Sequence, residues 1–178
     1  MRISRSTMKK LASVSVLGLG AVLFQGESAQ AATATANLAV TATVGTTCYI
    51  TTGAVSFGTY DVLATADLDG AGSVTVKCTN LLPYRIFLGQ GGYAASGSTD
   101  AAPVRQMSAG GTARLAYGLF TDSGRTTVWQ GPAALPLGGV TGTGNGLDQT
   151  IPVYGRITAL QGVPVGSYSD SVQATINY

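Results

Sequence analysis

The chain has 178 residues, of which 45% are hydrophobic and 10% charged, with a formal net charge of +2; this fits one globular domain and excludes charge-driven disorder. It contains no histidine, which removes every His-based triad, every His general base and every His metal ligand from consideration. The 25 glycines have no collagen-like period and read as turn residues.

In chain order, Arg2, Arg5, Lys9 and Lys10 precede an apolar stretch from Leu11 to Phe24, followed by the small-x-small sequence Ala29-Gln30-Ala31. This is the pattern of a secretory signal peptide over residues 1–31. The stretch is shorter than the roughly 20 apolar residues of a membrane-spanning helix, and no later run is longer, so no membrane span is expected after cleavage. Residues 32–178 hold six basic and seven acidic side chains, a balance that offers nothing to a phosphate backbone, and nucleic acid is not expected as a partner.

Strict alternation follows. Ala32, Ala34, Ala36, Leu38, Val40, Ala42 and Val44 alternate with Thr33, Thr35, Asn37, Ala39, Thr41 and Thr43, which predicts a strand with one apolar face. A three-residue joint, Gly45 to Thr47, separates this ribbon from the first cysteine. Further strands are predicted near Tyr49–Phe57, Ser73–Cys78, Tyr84–Leu88, Ala113–Phe120, Thr126–Gln130 and Gln149–Ile157, and a last one from Tyr168 to Tyr178. Turns are predicted at Asp69-Gly70, Gly91-Gly92 and Asp122-Ser123-Gly124, with a Gly-rich loop over 138–146. The period-two pattern predicts an all-β sandwich or barrel. Cys48 and Cys78 are the two cysteines; in an exported chain they are expected to pair, and closing a loop of about 31 residues stabilises by about 3 to 4 kcal/mol in the chain-entropy model.

Chemical motifs are weak. Asp67-Leu68-Asp69-Gly70 has the start of a calcium loop, but residues 32–178 contain no Glu to close it, and an Asp-Gly turn is the expected reading. Gly142-Thr143-Gly144-Asn145-Gly146 lacks the helix start that a phosphate cradle needs. The seven aspartates are expected to be solvated turn residues, and the tyrosines to serve the core or its rim. Neither an enzyme nor a cofactor or metal site is expected.

The specific signal is the order of several motifs. It comprises apolar residues at ten, eight, six and four positions before Cys48, then Ser73-Val74-Thr75-Val76-Lys77-Cys78, then Leu115-Ala116-Tyr117-Gly118-Leu119-Phe120-Thr121-Asp122 with Arg125-Thr126. Ile151-Pro152-Val153-Tyr154-Gly155-Arg156-Ile157 and the closing Gly166-Ser167-Tyr168-Ser169-Asp170 to Tyr178 complete it. Together these resemble the spore coat protein U domain family, the pilin type of archaic (Csu-like) chaperone-usher fimbriae. The resemblance covers essentially all of residues 32–178.

It implies an incomplete immunoglobulin-like β-sandwich over 48–178, completed by the N-terminal segment (32–47) of a neighbouring subunit in donor strand complementation. In that scheme Leu38, Val40, Ala42 and Val44 are the donor side chains, although Ala42 stands where a larger aliphatic residue would fill a pocket better. Val172, Ala174, Ile176 and Tyr178 line the receiving groove, which a periplasmic chaperone also occupies before exchange at an outer-membrane usher. Cys48 and Cys78 match the family's disulfide positions. The implied product is a fibre at the cell surface, with a role in adhesion and biofilm formation. The alternative is a self-contained secreted coat or carbohydrate-binding β-sandwich module whose first strand fills its own groove.

Overall fold

A computed structural model describes residues 31–134 and 138–178; the signal-peptide reading therefore lies, but for Ala31, outside the described residues. Two compact units divide at Ala42/Thr43. In the first, residues 31–42 are exposed and form no strand, so the strand predicted from Ala32 to Val44 is not observed. A ribbon's alternation specifies which side chains share a face, whereas a ladder needs the main-chain groups of a neighbour.

The second unit is all-β. Its strands are β1 (Cys48–Ser56), β2 (Leu68–Cys78), β3 (Pro83–Leu88), β4 (Arg105–Ser108), β5 (Arg114–Phe120), β6 (Val140–Thr143), β7 (Gln149–Ile157) and β8 (Ala174–Asn177), with one 3₁₀ turn at Pro132–Ala134. They form a five-stranded sheet in the order β1-β2-β7-β5-β4 and a three-stranded sheet in the order β6-β3-β8, and every pairing is antiparallel. Alternation explains the layering: Val74, Val76 and Cys78 of β2 point inward to meet Tyr84, Ile86 and Leu88 of β3, with Leu119, Val153 and Trp129 completing the core. No helix among the described residues is long and apolar enough to cross a membrane.

Cys48 and Cys78 are opposite each other in the β1–β2 register and form a disulfide. Cys78 is buried in the core, so the bridge fixes the start of β1 to the end of β2. Replacing both cysteines by serine is expected to lower unfolding stability by about 3 kcal/mol, read as the shift of the urea midpoint at constant slope.

Glycine accounts for two corrections. Asp69-Gly70, predicted as a turn, lies inside β2, where Gly70 pairs with Gly155 of β7. A Cβ at Gly70 would stand 2.8 Å from the Phe57 ring, and one at Gly155 2.6 Å from it; both glycines make room for an aromatic side chain in mid-sheet. The region 138–146, predicted as loop, contains β6, whose Gly142 lies against the Tyr84 ring.

Three further differences concern strand ends. Residues Thr126–Gln130, predicted as a strand, form a single bridge, Phe120–Val128: the Asp122 carboxylate captures the amides of Thr126 and Thr127, and beyond them Trp129 donates to Leu119 of β5 while Gln130 accepts from Leu88 of β3, so the segment passes between the sheets. The short strand β4 was not predicted. The last strand spans only Ala174–Asn177; before it, Ser169 bridges to Ser108 on β4.

Candidate functional site: an open groove between two sheet edges

β1 is an edge of the five-stranded sheet and β8 an edge of the three-stranded one. β8 pairs with β3 through Leu88–Ala174, Phe87–Thr175, Ile86–Ile176 and Arg85–Asn177; among the described residues its other edge has no strand partner. β1 likewise pairs only with β2, through a register shift between Gly53 and Ser56. The two open edges adjoin along one flank of the sandwich, with Cα atoms of β1 and β8 within 8 Å of each other. Ile50 and Val55 from β1, Ile151 from β7, and Val172, Ala174 and Ile176 pack on the core cluster while remaining only partly buried. A cavity of about 370 Å³ opens between the second half of β1 and residues 168–172, just ahead of β8, its walls including Val55, Val74, Leu119, Val153, Tyr117 and Val172 together with the polar Thr52, Ser73, Ser169 and Asp170. Such a mouth combines unpaired main-chain groups with apolar side chains, the two features that a strand of alternating residues satisfies together.

The wall before β8 is held by polar contacts. Asp170 accepts from the Tyr117 hydroxyl at 2.7 Å, the Gly92 amide at 2.8 Å and the Ser171 amide at 2.8 Å. Burial, then the hydrogen bond to Asp170, drive the Tyr117 hydroxyl far above the usual phenol range, so it remains a donor. Beneath this end Arg105 is almost fully buried, and its guanidinium donates to the carbonyls of Leu88, Gly89 and Trp129 at 2.7 to 2.8 Å. Burial lowers its pKa to about 10, and it stays charged at neutral pH. Sequence reasoning missed both devices. Asp170 carried no signal to separate it from a turn aspartate, and Arg105 sits in a strand of only four residues.

The predicted site residues divide in two. Leu38, Val40 and Val44 are exposed by 88%, 86% and 85%, and Ala42 is exposed with them. Val172, Ala174 and Ile176 lie together along the open β8 wall, while Tyr178 follows the strand and is exposed.

The aspartates of the calcium-like sequence are not turn residues. Asp69 takes Arg156 in a two-pronged contact at 2.8 and 3.1 Å and Arg125 at 3.1 Å, and Asp67 lies 3.5 Å from Arg156. The Arg156 hydrogen bond holds the Asp69 carboxyl below the usual range. Its contribution to stability is therefore present above the unfolded-state pKa and lost as pH falls through the lower folded value. Asp69→Asn is expected to reduce the loss of stability between pH 7 and pH 3, as measured by urea midpoints at the two values.

With this geometry in view, comparison with known proteins places the chain. The Spore Coat Protein U domain model matches residues 34–175, and the chain belongs to that family. It is 42% identical over 176 residues to Protein U of Myxococcus xanthus, covering 93% of this chain and 97% of that one. Its fold is similar to that in the crystal structure of the CsuC-CsuE chaperone-tip adhesion subunit pre-assembly complex from archaic chaperone-usher Csu pili of Acinetobacter baumannii, with a TM-score of 0.53 and 22% identity. The match covers 76% of this chain and 40% of that one. The family model and the relative bear out the family expected from the sequence, and the solved structure bears out the sandwich fold.

Proposed function

We propose that the protein is a structural subunit of a surface fibre, exported by a periplasmic chaperone and an outer-membrane usher and polymerised by donor strand complementation. The observation that carries this reading is the cavity between β1 and the segment before β8, beside two strand edges that lack a second partner among the described residues, in a chain whose Leu38, Val40 and Val44 are almost wholly exposed. Burying each of those side chains is worth about 1.5 to 3 kcal/mol, and an inserted strand also pairs the free edges of β1 and β8. One ribbon from one copy and one groove from the next make a heterologous contact that does not close on itself, so the assembly is a filament. The pre-assembly chaperone complex of the similar Csu subunit supports a chaperone as the earlier occupant of the same groove. Adhesion and biofilm formation are the roles such a fibre would serve. The absence of histidine agrees with a structural rather than a catalytic role.

The test is a gel of surface extracts run unheated and boiled. Strand-linked copies give an SDS-resistant ladder that collapses to monomer on boiling. A chain lacking residues 32–44 should join no ladder yet still bind a synthetic peptide of that sequence. A purified chain that is monomeric and stable, with no affinity for the peptide, would sink this reading.

A further inference from the structure

The joint between ribbon and body is tied down. Thr47 donates its amide to the Thr79 hydroxyl at 3.0 Å, and Thr79 returns its own amide to the Thr47 carbonyl at 2.9 Å. The Thr79 hydroxyl also reaches the carbonyls of Thr47 and Gly45 at 3.2 and 3.4 Å. Only a few backbone bonds near Gly45 are therefore free to turn, and from Val44 to Thr47 the chain spans at most about 10 Å. If Val44 is the last residue seated in a neighbour's groove, the pole of the body around Thr79 is brought against that neighbour.

That pole presents two exposed leucines on linked loops. Leu81 donates its amide to Gly144 and Gly146 donates to Cys78, so the loops bearing Leu81 and Leu147 are braced on each other. Leu81 holds a left-handed backbone (φ 61°) that a leucine seldom adopts, with its side chain 78% exposed.

The opposite pole has the same character. β2 begins where β7 ends, at the Leu68–Ile157 pair, so the β1–β2 and β7–β8 connections leave together. Tyr60 and Asp67 of the first connection bind Thr158, Ala159 and Gln161 of the second. Between these ties Leu160 is again left-handed (φ 58°) and exposed, with Leu63 and Val165 exposed nearby in the same two connections.

Strand direction decides which poles meet. β8 runs toward the Thr79 pole, since its Asn177 pairs with Arg85 at the start of β3. A ribbon antiparallel to β8, and so parallel to β1, places its Val44 end at the Leu160 pole. The reverse direction would bring the incoming body onto the Thr79 pole, where the receiving copy's own ribbon leaves.

We infer that each fibre junction has a second contact besides the inserted strand: the Leu81 and Leu147 loops of the donating copy seat on the Leu63, Leu160 and Val165 loops of the receiving copy, and together with the Thr79 tie they fix the angle between subunits. This rests on the strand-donation reading, and the partner it names is a second copy of this chain. The leucines are held exposed because their cover is supplied on assembly.

The experiment uses the full chain co-expressed with its export machinery. With p-benzoylphenylalanine in place of Leu81, irradiated fibres should give a boiling-resistant dimer whose cross-link maps by mass spectrometry to residues 158–166. The double variant Leu81→Ser with Leu147→Ser should still form the heat-sensitive ladder, while electron micrographs show the spread of angles between successive subunits widened by about twofold or more, the behaviour expected of bodies with no apolar interface. Fibres that form normally with no cross-link, or with one mapping elsewhere, or with an unchanged angle distribution in the double variant, overturn the junction and leave strand donation standing. A wild-type chain that forms no polymer overturns both.

Discussion

Changing Leu38 and Val40 together to aspartate is expected to abolish the SDS-resistant ladder while leaving the body of the subunit folded. Both side chains are exposed in the single chain, so the substitutions remove no contact from the sandwich, and the urea midpoint of the chaperone-free body should stay within about 0.5 kcal/mol of wild type. Assembly is a different matter. Loss of two buried aliphatic side chains costs about 3 to 6 kcal/mol, which by itself weakens strand insertion by roughly a hundredfold to ten-thousandfold. The two carboxylates add a desolvation penalty against Val55, Val74, Leu119, Val153 and Val172, and the polar part of the lining includes another carboxylate, Asp170. A peptide of residues 32–44 carrying the same two changes should accordingly fail to compete with the wild-type peptide for a chain lacking its own ribbon. The conservative pair Leu38→Val with Val40→Ile should retain the ladder. A full ladder from the aspartate variant would mean that these positions do not enter the groove.

The contrast between ribbon and body shows what could be read from sequence. β7 was predicted with the bounds it has, Gln149–Ile157, and β1 to within a residue, because alternating residues on strands paired along their length leave an unbroken period of two. Ala32–Val44 alternates at least as strictly and forms no strand here; period reports which face is apolar and is silent about which copy supplies the cover. Glycine misled in the other direction. Gly70 and Gly142 were read as turn and loop residues, and they are places where the Phe57 and Tyr84 rings lie against a sheet; sequence alone does not tell a missing side chain that permits a turn from one that admits a ring. The open groove was legible only through the family resemblance, since an absent strand leaves no residues to read. Its polar supports, Asp170 under Tyr117 and Arg105 under Leu88, join residues 53 and 17 positions apart, distances over which no local pattern operates.

Arg105 is where the largest loss of stability is expected. Among the described residues it is the one charged residue of the core, 1% exposed, and it has no carboxylate within ion-pairing distance. Its partners are main-chain oxygens: Leu88 at the end of β3, Gly89 just beyond it, and Trp129, whose own indole donates to Ile86. One side chain thus ties β4 of one sheet to β3 of the other and to the segment that delivers the tryptophan. Arg105→Met keeps most of the volume and removes every donor, leaving the buried carbonyls of Leu88 and Trp129 and the part-buried one of Gly89 without it. Hydrogen bonds from a charged donor contribute about 1.5 to 3 kcal/mol each, partly offset because a buried cation is itself costly to desolvate, and a net loss of about 3 to 5 kcal/mol is expected. Arg105→Lys should recover only part of it, since an ammonium cannot match the fork that meets Leu88, Gly89 and Trp129 at once. Because Leu88 and the Leu88–Ala174 pair form one end of the acceptor wall, the same variant should bind the 32–44 peptide more weakly even at temperatures where it is folded. Chemical denaturation followed by the fluorescence of Trp129, the single tryptophan, reads the first effect directly, and peptide titration at low denaturant reads the second. An Arg105→Met chain as stable as wild type would show that the three carbonyls find other donors and that the two sheets do not depend on this tie.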